Sequence, residues 1–135
     1  MASIALEGVT VLADDVAGLA AFFEVGLELE VTVREEHYVA FAGAGVRLAI
    51  FRRGLMGANT YDHASFRGPR GTQAFELNFQ CASADADEVE RAFRRVVAHG
   101  ATSVAAPVET NWGHYTGFFA DPEGNIHSLF AELGR

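Results

Sequence analysis

Lysine is absent from this sequence, and positive charge is scarce. Ten arginines stand against 18 acidic residues among 135 residues, which gives a formal net charge of −8 at pH 7. Binding to nucleic acid or to an anionic membrane surface depends on clustered positive charge. We therefore expect neither partner, and we expect the net charge to favour a neutral or cationic small ligand. Arginine in place of lysine is also typical of GC-rich bacterial genomes.

Cysteine is nearly absent as well. The single residue, Cys81, excludes an internal disulfide framework and a zinc site built from several cysteines. Because Cys81 follows an apolar strand pattern, we expect it to be a small packed side chain rather than a reactive thiol.

Long hydrophobic runs are also missing, and none approaches the roughly 20 residues that a membrane-spanning helix needs. The start of the chain carries Glu7, Asp14 and Asp15 and lacks the basic segment that opens a signal peptide. We therefore expect a cytoplasmic protein. Half of the residues are hydrophobic and 21% are charged, so residues 1–135 are expected to form a single domain around one core.

Residues 4–53 contain a first unit of strand, helix and three strands. An apolar strand at 9–12 leads into acidic residues that can cap a helix. Apolar residues then recur at i, i+3, i+4 and i+7 from Val16 to Phe23, which is typical of one buried helical face. Three short strands are predicted next, at 29–33, 38–42 and 46–51.

Residues 74–133 repeat this order. A strand at 75–79 alternates strictly, and a helix can begin at Ser83, Asp85 or Asp87. The apolar face of this helix consists of Val89, Ala92, Phe93 and Val96. Three further strands are predicted at 102–105, 115–120 and 125–130.

The repeat indicates how the chain folds. Neither sheet can bury both of its faces alone, so the two units must pack together. The predicted fold class is α+β, with two βαβββ units paired into a curved mixed sheet that encloses a cleft. Residues 54–73 lie between the units and lack periodicity; we interpret them as a linker, the alternative being a functional loop.

Strand alternation predicts which side chains face the cleft. Along residues 75–81 the apolar positions must pack on the helices, so Glu76 and Asn78 face the cleft among apolar neighbours. The other strands are expected to contribute Glu7, Val9, Val11, Arg47, Ala49, Phe51, Ile126, Ser128 and Phe130. This composition is typical of a pocket for an organic ligand. The alternative is a filled core with Glu76 exposed at a sheet edge.

The only tryptophan, Trp112, lies in a polar, glycine-flanked loop. A large aromatic side chain in such a loop packs either as a lid on the core or against a ligand, and a planar ring would stack on Trp112 or Tyr115. His114 adjoins this loop, whereas His127 is expected to point away from the cleft if Ser128 points into it. No two of the five histidines have the spacing of a metal-ligand set.

The stretch 111–125 is the most distinctive in the chain, because Trp112-Gly113 is followed by the turn Asp121-Pro122-Glu123-Gly124-Asn125. Together with the repeated βαβββ order, this stretch resembles the vicinal oxygen chelate superfamily, which contains glyoxalase I, extradiol dioxygenases and bleomycin resistance proteins. The resemblance covers residues 4–133 and implies the same fold class.

Within this superfamily, the chain is most similar to drug-binding resistance proteins of the mitomycin-resistance type. The similarity rests on Gly45–Ala49, Trp112-Gly113 and Asn125–Leu133. It implies a metal-free homodimer whose pockets are built from both chains and stack an aromatic drug between aromatic side chains.

Metal-dependent members of the superfamily carry four ligands, at strand positions that correspond here to Val9, Ala49, Glu76 and Ser128. Only Glu76 could bind a cation strongly, whereas a catalytic divalent metal needs about three nitrogen or oxygen ligands. The resemblance, carried over residue by residue, therefore implies no metal and no other cofactor.

Two functions follow. The first is a metal-free protein that sequesters a planar aromatic compound, such as an antibiotic, and has no catalytic residue. Its expected ligand contacts are Trp112, Tyr115, Glu76, Asn78, Phe51, Arg47, His114, Ser128 and Phe130. The alternative is an enzyme of lyase, isomerase or dioxygenase type in which Glu76 serves as general base or metal ligand. The lack of a second acid or base beside Glu76 favours binding.

Overall fold

The computed structural model describes residues 7–134 except 44, 61, 63, 70 and 73–75. Its strands are β1 Gly8–Ala13, β2 Val31–Arg34, β3 Tyr38–Phe41, β4 Arg47–Arg52, β5 Asn78–Gln80, β6 Thr102–Glu109, β7 His114–Ala120 and β8 Ile126–Glu132. Its helices are α1 Val16–Ala21, α2 Met56–Thr60 and α3 Ala86–Ala98. Within the described residues, no helix is long and apolar enough to cross a membrane.

The strands form two four-stranded mixed sheets with the same topology. The strand order is β1-β4-β3-β2 in the first sheet and β5-β8-β7-β6 in the second. The pairs β1–β4 and β5–β8 are parallel and the remaining pairs are antiparallel. The predicted α+β fold of two βαβββ units is therefore confirmed.

Acidic side chains cap both long helical segments, as their positions predict. Asp15 Oδ1 accepts a hydrogen bond from the backbone N–H of Gly18 at 3.0 Å, and Asp85 Oδ1 accepts one from Asp87 N–H at 2.9 Å. Each bond satisfies a donor that the first turn of the helix leaves unpaired. The buried face of α3 is the predicted one: Val89, Ala92, Phe93 and Val96.

One core joins the two units. A π-helical turn, Phe22–Gly26, continues α1 and carries two buried phenylalanines between the sheets. The ring of Phe23 lies 5.7 Å from Phe41 of the first sheet and 6.2 Å from Phe79 of the second. Each sheet therefore turns one face toward this core, and by alternation its other face, here called the outer face, points away.

The turn between β7 and β8 ties the second unit to the first. The buried carboxylate of Glu123 accepts hydrogen bonds from the backbone N–H groups of Asp14 (2.7 Å) and Asp15 (3.3 Å), just before α1. Asp121 Oδ2 lies 2.7 Å from His127 Nε2. Because His127 Nδ1 accepts the N–H of Leu77 at 3.3 Å, the ring proton must lie on Nε2 and point to Asp121.

The segment between the units, interpreted from the sequence as a linker, contains α2 and two short 3-10 turns, Arg53–Leu55 and Ala64–Arg67. One local prediction is wrong. Val11 does not face the cleft: it pairs with Ile50 and both lie in the core, so Val9 shares the core face by alternation. Thr10 is the residue beside Ala49 on the outer face.

Candidate functional site

The candidate site is a pocket of about 330 Å³ on the outer face of the second sheet. Eight side chains line it: Glu76, Asn78, Trp112, His114, Thr116, Phe118, Ser128 and Phe130. Strand register explains why they meet, because Ser128 pairs with Asn78 on one side and with Phe118 on the other, and Thr116 pairs with Phe130. Six of the nine ligand contacts predicted from the sequence lie here.

One wall of the pocket is aromatic. The rings of His114 and Phe130 are stacked, with centroids 4.8 Å apart and planes 14° apart. Trp112 meets His114 edge-on at 6.4 Å. Trp112 is 63% exposed, so it is not a lid on the core of this chain and remains available to a ligand.

The facing wall is polar. The buried Ser128 Oγ donates a hydrogen bond to Asn78 Oδ1 at 2.6 Å, which leaves the amide N–H groups of Asn78 for another partner. Glu76 lies at the open side of the pocket and is exposed, which corrects the expectation that apolar neighbours bury it.

Thr116 and Phe118 are pocket residues that the sequence analysis missed. Both follow His114 at intervals of two along β7, so alternation from His114 would have identified them. Thr116 is only 6% exposed, and within the part of the chain that the structure describes its Oγ1 has no hydrogen-bond partner.

Tyr115 does not line this pocket. It lies between His114 and Thr116 on β7, so its side chain points to the opposite face of the sheet. There its hydroxyl donates a hydrogen bond to Glu90 Oε1 of α3 at 2.6 Å. That bond to the carboxylate raises the pKa of Tyr115.

Phe51 and Arg47 also lie outside this pocket, on the outer face of the first sheet. Phe51 lines a separate depression of about 450 Å³ together with Thr10, Leu12, Tyr38, Met56 and Phe66. Arg47 donates hydrogen bonds to Glu7 Oε1 and to the Tyr38 hydroxyl, both at 2.8 Å. The bond from Arg47 lowers the pKa of Glu7 and raises that of Arg47.

The donor set at the pocket does not fit a divalent metal. No three histidine, cysteine, aspartate or glutamate side chains among the described residues converge to hold an ion. Among the described side chains that line the pocket, Glu76 is the only carboxylate, and the His114 ring is stacked on Phe130. A catalytic metal requires about three such ligands.

Three solved structures show how widely this fold recurs. A glyoxalase-related enzyme from Fulvimarina pelagi has a TM-score of 0.81 at 18% identity, covering 94% of this chain and 87% of that chain. Lactoylglutathione lyase from Agrobacterium tumefaciens has a TM-score of 0.65 at 20% identity, covering 94% and 92%. TioX from Micromonospora sp. ML1 has a TM-score of 0.68 at 15% identity, covering 96% and 99%. At these identities the similarity shows the fold alone.

The curated proteins contain no match to this chain. The sequence model of one superfamily, however, matches residues 5–128, which run from before β1 to the first part of β8. This match agrees with the duplicated βαβββ topology. The chain belongs to the glyoxalase/bleomycin resistance protein/dioxygenase superfamily.

Proposed function

We propose that this protein is a metal-free binding protein of the bacterial cytoplasm that sequesters a planar aromatic compound, neutral or cationic, such as an antibiotic. The observation that carries the proposal is the exposed aromatic wall of Trp112, His114 and Phe130 beside the polar pair Asn78–Ser128. A flat ring gains stacking energy on such a wall, about 0.5 to 1.5 kcal/mol beyond the area it buries.

The charge distribution supports a neutral or cationic ligand. Glu76 lies at the open side of the pocket, and the chain has a net charge of −8. No arginine lines the pocket within the described residues. The carboxylate of Glu76 therefore attracts an amine or another hydrogen-bond donor on the ligand, and it repels an anion.

We propose that the functional unit is a homodimer. Among the described residues, two large apolar side chains on the outer face of the second sheet are strongly exposed, Trp112 (63%) and Val108 (61%). A second copy that covers this face would bury both of them.

The two outer faces indicate where the second copy packs. The pocket uses side chains of the second unit only, and Val108 (61% exposed) stands beside Thr116 at its edge. Among the described residues, the depression around Phe51 uses side chains of the first unit and of the linker that follows it. In the proposed dimer the Phe51 face of one copy covers the pocket of the other, which brings Phe51 and Arg47 toward the ligand.

An enzyme of the same superfamily is the second candidate, and one observation favours it. His114 lines the same pocket as Glu76, so two titratable side chains lie at the site. A general acid and a general base need this combination. The stack of His114 on Phe130 instead favours the binding function, because it makes the ring part of the aromatic wall.

The experiment that tests the proposal is a titration with 2-(aminomethyl)anthracene, a planar cation, followed by calorimetry and by tryptophan fluorescence. Trp112 is the only tryptophan, so quenching of its emission reports contact with the pocket. We expect saturable binding that survives treatment with a chelator, and no product in the mixture. Absence of saturable binding would refute the ligand class, and turnover abolished by Glu76→Gln would favour the enzyme.

A further inference from the structure

Thr116 differs from the other buried polar side chains of the described residues in having no hydrogen-bond partner. It is buried in β7 opposite Phe130, and within the described residues its Oγ1 makes no hydrogen bond. The neighbouring buried hydroxyl, Ser128 Oγ, is bonded to Asn78, and the buried His127 on the other face is bonded to Asp121. Among the buried side-chain oxygen and nitrogen atoms of the described residues, Thr116 Oγ1 is the one without a hydrogen bond.

A buried hydroxyl without a partner lowers the stability of the fold, because folding removes its hydrogen bonds to water and forms no hydrogen bond in their place. Valine has the same branched shape, suits a strand equally well and carries no polar atom. The fold alone therefore favours valine at position 116. A hydroxyl that the fold does not need suggests a use in binding.

The arrangement of donors around Thr116 indicates the chemistry of its partner. Asn78 Oδ1 already accepts the proton of Ser128 Oγ, so two kinds of donor remain: the amide N–H groups of the exposed Asn78 and the buried Thr116 hydroxyl. Glu76, the carboxylate of the site, is exposed. A ligand that matches this arrangement places an acceptor toward the buried Thr116 and its positive group toward the exposed Glu76.

We propose that Thr116, whose side chain lines the pocket and whose Oγ1 is shielded from solvent in the free chain, turns this hydroxyl toward the bound compound and donates a hydrogen bond to its ring carbonyl. This inference rests on the proposed function and narrows it to planar aromatic rings that carry a carbonyl oxygen on one side and an amine on the other. Thr116 is then a specificity-determining residue, since a ring without the oxygen leaves the hydroxyl unpaired as it is in the free protein.

Two probes that differ only in ring carbonyls test this inference. 2-(Aminomethyl)anthraquinone and 2-(aminomethyl)anthracene share their size, planarity and charge, and calorimetry measures the affinity of the protein for each. A hydrogen bond of ordinary strength predicts that the wild-type protein binds the anthraquinone about 3- to 10-fold more tightly. The Thr116→Val variant should lower this ratio to about one, and the Thr116→Ser variant, which keeps the hydroxyl, should retain most of it.

The thermal stability of the free variants separates a binding role from a structural one. If the hydroxyl is unsatisfied without ligand, Thr116→Val raises the Tm by a few degrees. A lowered Tm, or an unchanged preference for the anthraquinone in Thr116→Val, would overturn the role of Thr116 while leaving the proposed function intact. Failure of the wild type to bind either probe would overturn the proposed function and this inference with it.

Discussion

Trp112 is the most exposed aromatic side chain at the pocket, and among the described residues its one ring contact is with the edge of His114. Truncating it removes little that holds the fold together but removes the surface on which a ligand stacks. We expect Trp112→Ala to weaken binding of 2-(aminomethyl)anthracene by about 3- to 10-fold, the range of an aromatic stacking contribution. Calorimetry gives the affinity, and the Tm should fall by less than about 2 °C. A variant that mainly unfolds would show that Trp112 is a core residue.

Glu76 tests the polarity of the site. Its side chain is exposed, and no hydrogen bond to it is found within the described residues, so Glu76→Gln should leave the Tm unchanged. The same change should weaken binding of the cationic 2-(aminomethyl)anthracene by at least about threefold, since a charge-assisted bond is stronger than a neutral one. The neutral 2-(hydroxymethyl)anthracene is the matched control and should respond less. An equal response of both compounds would contradict an electrostatic role.

The packing around Cys81 lowers the reactivity of its thiol. Its side chain is half-buried against the shared core, and this burial raises the pKa of the thiol. A smaller fraction is then thiolate at pH 8, and the thiolate is the nucleophile. We expect iodoacetamide to alkylate the folded protein more slowly than it alkylates a free cysteine, and equally fast once denaturant is added. Labelling of the folded protein at the free rate would contradict the packed position.

The turn between β7 and β8 is the element that holds the two units in place. Glu123→Ala removes the acceptor for the N–H groups of Asp14 and Asp15 at the start of α1. Two hydrogen bonds to a buried charge are lost together, so we expect a loss of about 2 to 4 kcal/mol in the free energy of unfolding. Urea denaturation measures this loss. Glu132→Ala, at an exposed position on β8, is the control and should cost less than about 0.5 kcal/mol.

The role of Glu123 also shows where sequence patterns stop being informative. Pro122 and Gly124 predict the turn itself, because the turn requires their backbone conformations, and Gly124 has φ +88°. The contact from Glu123 to Asp14 spans 109 positions of the chain and has no local pattern. Alternation likewise failed on β1, whose residues are nearly all apolar, so a period of two could not decide which face is buried.

At the scale of the molecule, the sequence predicts the duplicated βαβββ unit. It does not predict that the outer faces of the two sheets are separate. Repeated strand and helix patterns identify each unit, and alternation placed Glu76, Asn78 and Ser128 together. The packing of both units on one core is a tertiary property, formed by contacts such as Phe23 with Phe41 and Phe79. Phe51 and the pocket consequently lie on different faces of a single chain.

The proposed dimer makes a prediction about mass in solution. Sedimentation at micromolar concentration should give about twice the 14.5 kDa of one chain. Phe51→Asp places a charge on the outer face of the first sheet and should shift the protein toward monomer. Val97→Asp, on the exposed side of α3, is the control and should remain dimeric. A wild-type protein that sediments as a monomer would contradict the shared pocket.

The central claim is that this chain binds a planar cation in the pocket of its second unit without a metal. The most direct measurement is a calorimetric titration of chelator-treated protein with 2-(aminomethyl)anthracene, repeated with Trp112→Ala. We predict saturable binding close to one ligand per chain, independent of added divalent ions and weakened by the substitution. Binding that appears only after a divalent metal is added, or binding that Trp112→Ala leaves unchanged, would contradict it.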